Sequence, residues 1–265
     1  MDLENKEKEI DLDNKIKYSK SIKIIKGDIF IKKYHIESIG VEGELSMINI
    51  KHPNLMENIS YHKYEELNTL NLYNNKFIEF NYKYYDKNNW IDLIDIYNDN
   101  NPKYHLISEL YNNKKDISLQ LVKVVNFLHN KNIVHRDIKL DNILYNSNQK
   151  RIILCDFEYC KKITDNNINK KLRIGTPLYY PPEMLNKSIQ YIDYKKVDIW
   201  NVGFTIYILF FNKIKNINKI YLNKDKNLNL CCLIEKELFI STLNIYPNER
   251  KSLNNIIELD YFKFL

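Results

Sequence analysis

The sequence is poor in glycine, proline and cysteine: its 265 residues include 5 Gly, 6 Pro and 4 Cys. The cysteines, Cys155, Cys160, Cys231 and Cys232, form no CxxC pair and have no histidine at metal-ligand spacing. Neither a zinc site nor a disulfide framework is therefore predicted. Reduced thiols are typical of the interior of a cell.

Long hydrophobic runs are absent as well. The most apolar segment, Val197 to Phe211, contains Asp198 and Asn201 and is shorter than the roughly 20 apolar residues that a membrane span needs. Residues 1–15 are charged throughout and lack the apolar stretch of an export signal. We therefore expect an intracellular, soluble protein in the cytoplasm, with the nucleus as the open alternative, and no membrane partner.

Neither sign of charge dominates, because Lys+Arg 40 against Asp+Glu 34 leaves a net charge of +6. This excess is too dispersed to predict a nucleic-acid binder. One lysine-rich run consists of Lys213, Lys215, Lys219, Lys224 and Lys226. It either docks an acidic partner or nucleic acid or forms a solvated Asn/Lys loop, and we favour the loop because charge runs are usually solvated.

The front of the chain has the pattern of a sheet. Residues 21 to 36 contain two apolar runs around Gly27, which predicts a β-hairpin. Residues 42 to 50 form a short helical candidate that ends before Pro53, since the residue before proline avoids the helical conformation. Strand-like, Tyr-rich sequence follows to about Asp86.

The rear of the chain has helical periodicity. The spacing i, i+3, i+4, i+7 of an amphipathic helix occurs at Leu121, Val124, Val125 and Leu128. Residues 197 to 211 are apolar on every face and predict a central helix. Ser252 is a candidate N-cap for a helix at 253–257. The predicted organisation is a sheet-rich front lobe and a helical back lobe, joined near residues 84 to 90.

Polar motifs interrupt the apolar sequence of the rear part at four places. They are H-R-D-I-K-L-D-N at 135–142, D-F-E at 156–158, G-T-P-L-Y-Y-P-P-E at 175–183 and D-I-W-N-V-G at 198–203. Their order and spacing strongly resemble the signature motifs of the eukaryotic-type protein kinase superfamily. The resemblance covers about residues 20 to 265.

This resemblance implies an α+β, two-lobed protein kinase fold in a single domain over residues 1–265. The small β-rich N-lobe would span about residues 1–86, and the larger, mostly α-helical C-lobe residues 87–265. Lys139 and Thr176 resemble the serine/threonine branch. The implied activity is transfer of the γ-phosphate of ATP to Ser or Thr of a protein substrate, with Mg²⁺; no regulatory partner can be named.

The resemblance also implies roles for the residues of the catalytic motifs. Asp137 would orient the substrate hydroxyl or accept its proton, and Lys139 would offset the charge on the transferred phosphate. Asn142 and Asp156 would hold Mg²⁺ through oxygen atoms, which suit a hard cation.

In the front lobe, Ile29 to Lys32 resembles the V-A-I-K strand, so Lys32 would meet the α and β phosphates and Glu44 would pair with it. Lys33 and Glu42 are the respective alternatives. Because a strand alternates its faces, only one of the two lysines points at the nucleotide. An exposed strand lysine and a helix-surface glutamate are the competing structural interpretation.

Several family positions would be structural. The resemblance implies a hydrophobic column of Ile48, His135 and Phe157 that links the lobes. Asp198 would accept backbone hydrogen bonds from the H-R-D-I-K-L-D-N motif at 135–142, which resembles the family's catalytic loop. Glu183 would pair with Arg250, and breaking such a buried pair from one side is costly.

The sequence departs from the family in two places. No glycine occurs in residues 8–20, where a Gly-rich loop is expected, so nucleotide affinity is either weak or supplied partly by Lys15, Lys17 or Lys20. Glu158 replaces the glycine of D-F-G, which either reduces the mobility of Asp156 or disturbs the Mg²⁺ geometry. The main alternative function is therefore a pseudokinase that acts as a binding module; a small-molecule kinase is a weaker one.

The activation segment, Asp156 to Glu183, is basic, and Thr164 is the sole Ser or Thr upstream of Gly175 within it. We hypothesise that activity does not depend on phosphorylation of this segment. Arg136 would then be unpaired or would face an acidic group.

Overall fold

The structure is a computed structural model that describes residues 7–10, 16–19, 21–35, 38–67, 74–96, 103–164, 168–211 and 231–263. Lys15, Lys20 and the lysine-rich run at 213–226 lie outside these residues, and the side chain of Lys17 is also outside the description. The predictions made for these lysines therefore stay predictions.

The N-terminal part is built on antiparallel strands. A hairpin joins β1 (Glu7–Ile10) to β2 (Ile16–Ser19). A second sheet has the order β3-β4-β6-β5, with β3 at Ser21–Lys26, β4 at Ile29–His35, β5 at Asn58–Leu67 and β6 at Asn74–Lys83. Between β4 and β5 lies helix α1 (Ile39–Ser46).

Local sequence explains these elements. Gly27 connects β3 to β4 with a φ of 56°, a left-handed conformation that glycine adopts without strain, and the predicted hairpin is confirmed. Helix α1 begins earlier than predicted because Ser38 caps it by accepting a hydrogen bond from the Gly40 amide. It ends at Ser46, before Asn49 turns the chain with a φ of 63°.

The C-terminal part is mainly helical. Its helices are α2 (Leu93–Ile96), α3 (Tyr104–Asn112), α4 (Lys114–Asn130), α5 (Pro182–Leu185), α6 (Tyr194–Phe211), α7 (Leu233–Thr242), α8 (Leu253–Ile257) and α9 (Asp260–Lys263). Its short antiparallel strands are β7 (Ile91–Asp92), β8 (Ile133–Val134), β9 (Ile143–Asn146), β10 (Arg151–Leu154), β11 (Lys161–Lys162), β12 (Ile168–Lys170) and β13 (Tyr191–Asp193). They form the sheets β10-β9-β7, β11-β8 and β12-β13.

Helices α4 and α6 form the centre of this part. The predicted stripe of α4 is buried, and α6 is buried on every face, as its sequence predicts. Ser252 caps α8 by accepting a hydrogen bond from the Asn255 amide, which confirms that helix start. None of the helices that the structure describes combines the length and the apolar character needed to cross a membrane.

One hydrophobic core cluster connects the two parts. It contains Tyr34 and Phe80 of the N-terminal sheet together with Leu121 of α4 and Phe204 of α6. The predicted α+β fold, with a sheet-rich front and a helical back, is confirmed. The boundary near residues 84–90 stays a prediction.

Candidate active site

The loop that follows β8 is held in place by a buried carboxylate. Asp198 of α6 accepts hydrogen bonds from the backbone amides of His135 and Arg136, both at 2.8 Å, as the sequence predicts. His129 Nε2 lies 3.0 Å from the same carboxylate, a contact that sequence reasoning missed. Arg136 has a φ of 69°. A non-glycine residue keeps such a conformation only where its surroundings fix it, and here Asp198 does so.

Asp137 is the centre of a polar cluster at the end of this loop. Its Oδ1 accepts hydrogen bonds from the Thr176 amide at 2.9 Å and from the Thr176 hydroxyl at 2.8 Å. Lys139 Nζ lies 3.2 Å from Oδ2 and donates to Thr176 Oγ1 at 2.6 Å. The side-chain amide of Asn142 donates to the Asp137 carbonyl and to its carboxylate. The loop and the segment around residue 176 are thus joined at this carboxylate.

The D-F-E segment lies directly against the catalytic loop. The Cys155 amide donates to the Asn142 carbonyl at 2.9 Å, which brings Asp156 next to the Asn142 position. The His135 and Phe157 rings are in edge contact, with 5.9 Å between their centroids. The centroid of the Tyr82 ring lies 6.3 Å from that of Phe157. Asp156 has a φ of 64°, a second left-handed residue in the site.

The predicted hydrophobic column is present in part. Phe157 and His135 are buried and in ring contact, and Ile48 packs against the same core cluster that contains Phe157. The ring contact joins the catalytic loop to the D-F-E segment, and Ile48, in the turn after α1, packs against the cluster that contains Phe157.

Lys32 reaches the site from strand β4. Its Nζ lies 2.9 Å from Glu44 Oε1 and 2.5 Å from Asp156 Oδ1, and the lysine is 2% exposed. Glu42 is exposed. Between the alternatives left open by the sequence, the structure therefore pairs Lys32 with Glu44, not Lys33 or Glu42.

The electrostatics of this pair follow from burial and charge. Burial opposes the charged form of Lys32, but Asp156 and Glu44 outweigh it and hold the lysine pKa well above its usual value. Burial likewise raises the pKa of Asp156, but the charge of Lys32 outweighs that effect, so the pKa lies well below the usual carboxyl value. Asp156 is therefore ionised at neutral pH.

The oxygens of Asp156 and Asn142 suit a magnesium ion. Asp156 uses Oδ1 for Lys32, and no hydrogen bond to its Oδ2 occurs in the described part of the chain. Asn142 uses its amide nitrogen for Asp137, which leaves its oxygen as the remaining ligand atom. Carboxylate and amide oxygens are hard ligands of the kind Mg²⁺ prefers. The donor set therefore fits the ion that the sequence predicts.

Two tyrosines of the site were missed by sequence reasoning. The hydroxyl of Tyr34 donates to Glu44 Oε1 at 3.0 Å, and the hydroxyl of Tyr82 donates to Glu44 Oε2. Tyr34 follows Lys32 by two positions in a strand, and residues with this spacing share a face. The sequence alone could therefore have placed Tyr34 beside Lys32. Tyr82 is 38 positions from Glu44, and its contact depends on strand pairing.

Glu158 lies against helix α1. Burial, and then the charge of Asp156, raise the pKa of its carboxyl to about 7. A side chain at Gly43 would overlap the carbonyl oxygens of Phe157 and Glu158, and one at Gly40 would meet the Glu158 and Tyr34 side chains. The glycine pair therefore lets α1 approach the D-F-E segment closely. Asp156 keeps its contact with Lys32 in the presence of Glu158.

The surroundings of Arg136 agree in part with the sequence hypothesis. Its Nε donates to the Tyr159 carbonyl at 2.5 Å, and the guanidinium lies over the Tyr194 ring at 5.1 Å. The expectation that Arg136 is unpaired holds for its Nη1, which is buried without a hydrogen-bond partner among the described residues. In the part of the chain that the structure describes, the expected acidic partner is absent there, and a backbone carbonyl and an aromatic face contact the guanidinium instead. Burial lowers the pKa of this guanidinium.

The predicted ion pair between Glu183 and Arg250 is confirmed. Arg250 donates from Nη1 to Oε1 at 2.6 Å and from Nη2 to Oε2 at 2.9 Å. Arg250 is 1% exposed and lies over the Trp200 ring at 4.9 Å. This pair ties the end of the activation segment to the helical part.

Comparisons with known proteins find protein kinases among the relatives of this chain. Calcium-dependent protein kinase 5 of Plasmodium berghei is 32% identical over 212 residues, which cover 68% of this chain and 36% of that protein. A serine/threonine-protein kinase of Acanthamoeba polyphaga mimivirus is 43% identical over 101 residues (38% of this chain, 35% of that protein). A serine/threonine-protein kinase PLK of Dictyostelium discoideum is 33% identical over 155 residues (55% and 15%).

The chain thus matches 15% to 36% of the length of these relatives. A family model, described as the protein kinase domain, matches residues 21–262. This match includes the sheet, the Lys32 pair, the catalytic loop and the D-F-E segment, and it covers most of the 265 residues. The chain therefore belongs to the protein kinase family, and two of the three relatives named above are serine/threonine-protein kinases.

Proposed function

We propose that this chain transfers the γ-phosphate of ATP to Ser or Thr hydroxyls of protein substrates. The supporting observation is one continuous set of contacts. It runs from Glu44 through Lys32 to Asp156, and from the adjoining Cys155 amide through Asn142 to Asp137. Phosphoryl transfer depends almost entirely on positioning and charge neutralisation, and these contacts supply both.

Each residue has a defined task in this proposal. Asp137 orients the hydroxyl that attacks and accepts its proton, while Lys139, 3.2 Å from Asp137, offsets the negative charge on the transferred group. Lys32 binds the α and β phosphates. Asn142 and Asp156 hold Mg²⁺, which neutralises phosphate charge when it is bound.

The contacts of Thr176 support the assignment to the serine/threonine branch. Its hydroxyl donates to Asp137 and accepts from Lys139, so it lies between the two residues that act on the substrate hydroxyl. Thr176 also precedes the segment that leads to Glu183, and a peptide docked along that segment would place its hydroxyl near Asp137. Protein substrates are therefore favoured over small molecules.

Phosphate transfer from radiolabelled ATP to a mixed protein substrate tests the proposal. We expect Asp137→Ala and Lys32→Met to abolish transfer, since removal of such charged groups costs several orders of magnitude in rate. Lys33→Met, the neighbouring strand lysine, is the matched control and should retain activity. Equal background labelling in wild type and in both site variants would contradict the proposal.

A pseudokinase is the second candidate, because Glu158 occupies the glycine position of D-F-G. A pseudokinase would bind nucleotide weakly or not at all and transfer nothing. Glu158→Gly separates the two functions. Gain of transfer only in this variant would favour the pseudokinase, whereas the proposal predicts transfer by the wild type.

A further inference from the structure

The carboxylate of Glu44 accepts hydrogen bonds from two tyrosines as well as from Lys32. Glu44 is 0% exposed. Lys32 and Tyr34 both donate to its Oε1, at 2.9 Å and 3.0 Å, and Tyr82 donates to its Oε2. Oε2 has no other hydrogen-bond donor among the residues that the structure describes. Without Tyr82 this buried charged oxygen would be unsatisfied, and such an atom is costly to bury.

The sheet brings these donors to one face. Lys32 and Tyr34 are two positions apart in β4 and therefore share a face. Strand register pairs Lys32 with Phe80 and Phe30 with Tyr82, so Tyr82 of β6 lies diagonal to Lys32 on that face. The two hydroxyls thus approach Glu44 from neighbouring strands.

Lys32 alone is poorly suited to hold Glu44 in this position. Its ammonium is shared with Asp156 Oδ1, which at 2.5 Å is closer than Glu44 Oε1. Among the described residues, the tyrosine hydroxyls donate to Glu44 and to no second carboxylate. Burial, and then the charge of Glu44, raise the pKa of both tyrosines well above the usual value, so both stay protonated donors at neutral pH.

We propose that Tyr34 and Tyr82 are positioning residues that fix the Glu44 carboxylate and, through it, aim the Lys32 amine at the nucleotide. The inference rests on the proposed function for its kinetic consequence. Helix α1 is then held against the sheet by the fold itself, with Tyr82 securing the oxygen that Lys32 does not reach. No regulatory partner is needed to form the Lys32–Glu44 pair.

Tyrosine-to-phenylalanine variants test the two hydroxyls and keep the rings. We expect Tyr82→Phe to fold and to lower kcat/KM for ATP about tenfold, the loss typical of one hydrogen bond to a buried charge. Tyr34→Phe should have a smaller effect because Lys32 still satisfies Oε1. Tyr145→Phe is the matched control, since it removes another buried hydroxyl that donates to a glutamate, Glu109, outside the site.

A double-mutant cycle separates positioning from general stability. In a Glu44→Ala background, Tyr82→Phe should have almost no further effect on kcat/KM, because the carboxylate it positions is gone. If the losses in kcat/KM from Glu44→Ala and Tyr82→Phe add in the double variant, the inference is overturned. It is also overturned if Tyr145→Phe lowers kcat/KM as much as Tyr82→Phe does.

A ligand-free measurement distinguishes failure of this inference from failure of the proposed function. Lys32 is buried, so its modification by an amine-reactive ester, followed by mass spectrometry, reports how firmly the pair is held. We expect Tyr82→Phe to accelerate modification about tenfold and Tyr145→Phe to leave it unchanged. If the wild type transfers no phosphate but this difference appears, only the proposed function fails; equal rates in all three proteins refute the positioning role.

Discussion

At the scale of single residues, burial decides what an ion pair contributes to stability. Arg250 and Glu183 are 67 positions apart and form two hydrogen bonds in the interior. Lys251, the next residue, pairs with Glu237 at 2.8 Å on the surface. The two neighbours therefore offer a buried and an exposed ion pair in one protein.

We expect Arg250→Met to destabilise the fold by about 3–5 kcal/mol, because it leaves Glu183 charged and buried without its partner. Urea unfolding measures the change. Lys251→Met is the control and should cost less than about 1 kcal/mol, the typical value for an exposed pair. Similar losses in the free energy of unfolding of both variants would contradict a larger contribution from the buried pair.

His52 gives a residue-scale prediction of pH dependence. Its ring lies 4.9 Å from the Phe127 ring, and its Nδ1 accepts a hydrogen bond from the Asn54 amide. Burial lowers its pKa below the usual 6.5. The unfolded chain therefore binds a proton more readily than the folded chain, and the stability due to neutral His52 is lost as pH falls below about 6.5.

The variant His52→Asn removes this titration and keeps an acceptor for the Asn54 amide, since an asparagine oxygen can bond the amide two residues on. Between about pH 7 and pH 5, wild type should lose more stability than His52→Asn. Chemical unfolding at several pH values gives the difference, and NMR titration of the His52 ring gives the pKa itself. Parallel pH profiles for the two proteins would contradict the prediction.

At the scale of elements, helix α1 packs directly against the backbone of the D-F-E segment. The Gly40 and Gly43 positions face Glu158 and the Phe157 carbonyl, so the helix cannot carry larger residues there without moving. Glu44, one position after Gly43, moves with it. The element that carries the glutamate is thus set by backbone packing as well as by its hydrogen bonds.

Gly43→Ala should therefore displace α1, at a cost of about 1–3 kcal/mol for overpacking, and lower phosphate transfer. Glu42→Ala, on the exposed side of the same helix, is the control and should change neither property. Unfolding and kinetic measurements on both variants provide the check. An active, fully stable Gly43→Ala protein would mean that the helix has room to shift.

The activation segment is held by backbone contacts in the part that the structure describes. Strand β12 pairs with β13, and the Leu172 amide donates to the Tyr194 hydroxyl at 2.8 Å. Lys171 donates to the carbonyl oxygens of Glu183 and Asn186. The Nε of Arg136 donates to the Tyr159 carbonyl and its guanidinium lies over the Tyr194 ring, whereas its Nη1 is buried without a hydrogen-bond partner among the described residues.

We therefore expect activity without phosphorylation of this segment. Protein treated with phosphatase, and shown by mass spectrometry to carry no phosphate, should retain most of its activity, and so should Thr164→Ala. Loss of activity after phosphatase, with recovery when Thr164 is phosphorylated again, would overturn this expectation.

At the scale of the whole molecule, the proposed nucleotide site would link the two parts of the chain. Lys32 comes from the N-terminal sheet, whereas Asn142 ends a short 3-10 helix and Asp156 follows strand β10, both in the C-terminal part. A ligand held by all three binds the folded state alone. It must therefore stabilise the entire domain.

ATP with Mg²⁺ should raise the free energy of unfolding by about 2.7 kcal/mol at about 100 times Kd. Differential scanning fluorimetry detects the accompanying rise in Tm. The rise should disappear when EDTA removes Mg²⁺ and in Asp156→Asn, which weakens the metal site. A Tm shift that is the same with and without Mg²⁺ would argue against Asp156 as a metal ligand.

Much of this protein follows from local sequence. The hairpin around Gly27, the stripe of α4, the all-apolar α6 and the cap at Ser252 are set by neighbours within a few positions, so their patterns predicted them. The motifs at 135–142 and 156–158 are contiguous, and their chemistry was predicted from their resemblance to the motifs of protein kinases.

Contacts between distant residues required the tertiary structure. Strand pairing and the packing of α1 selected Lys32 over Lys33 and brought Tyr82 to Glu44, and the fold gave Arg136 a carbonyl and a ring in place of an acid. Sequence periodicity defines which face of an element a residue occupies, because that depends on backbone geometry nearby. Which face meets which depends on register and packing across the whole chain, and only the folded structure fixes these.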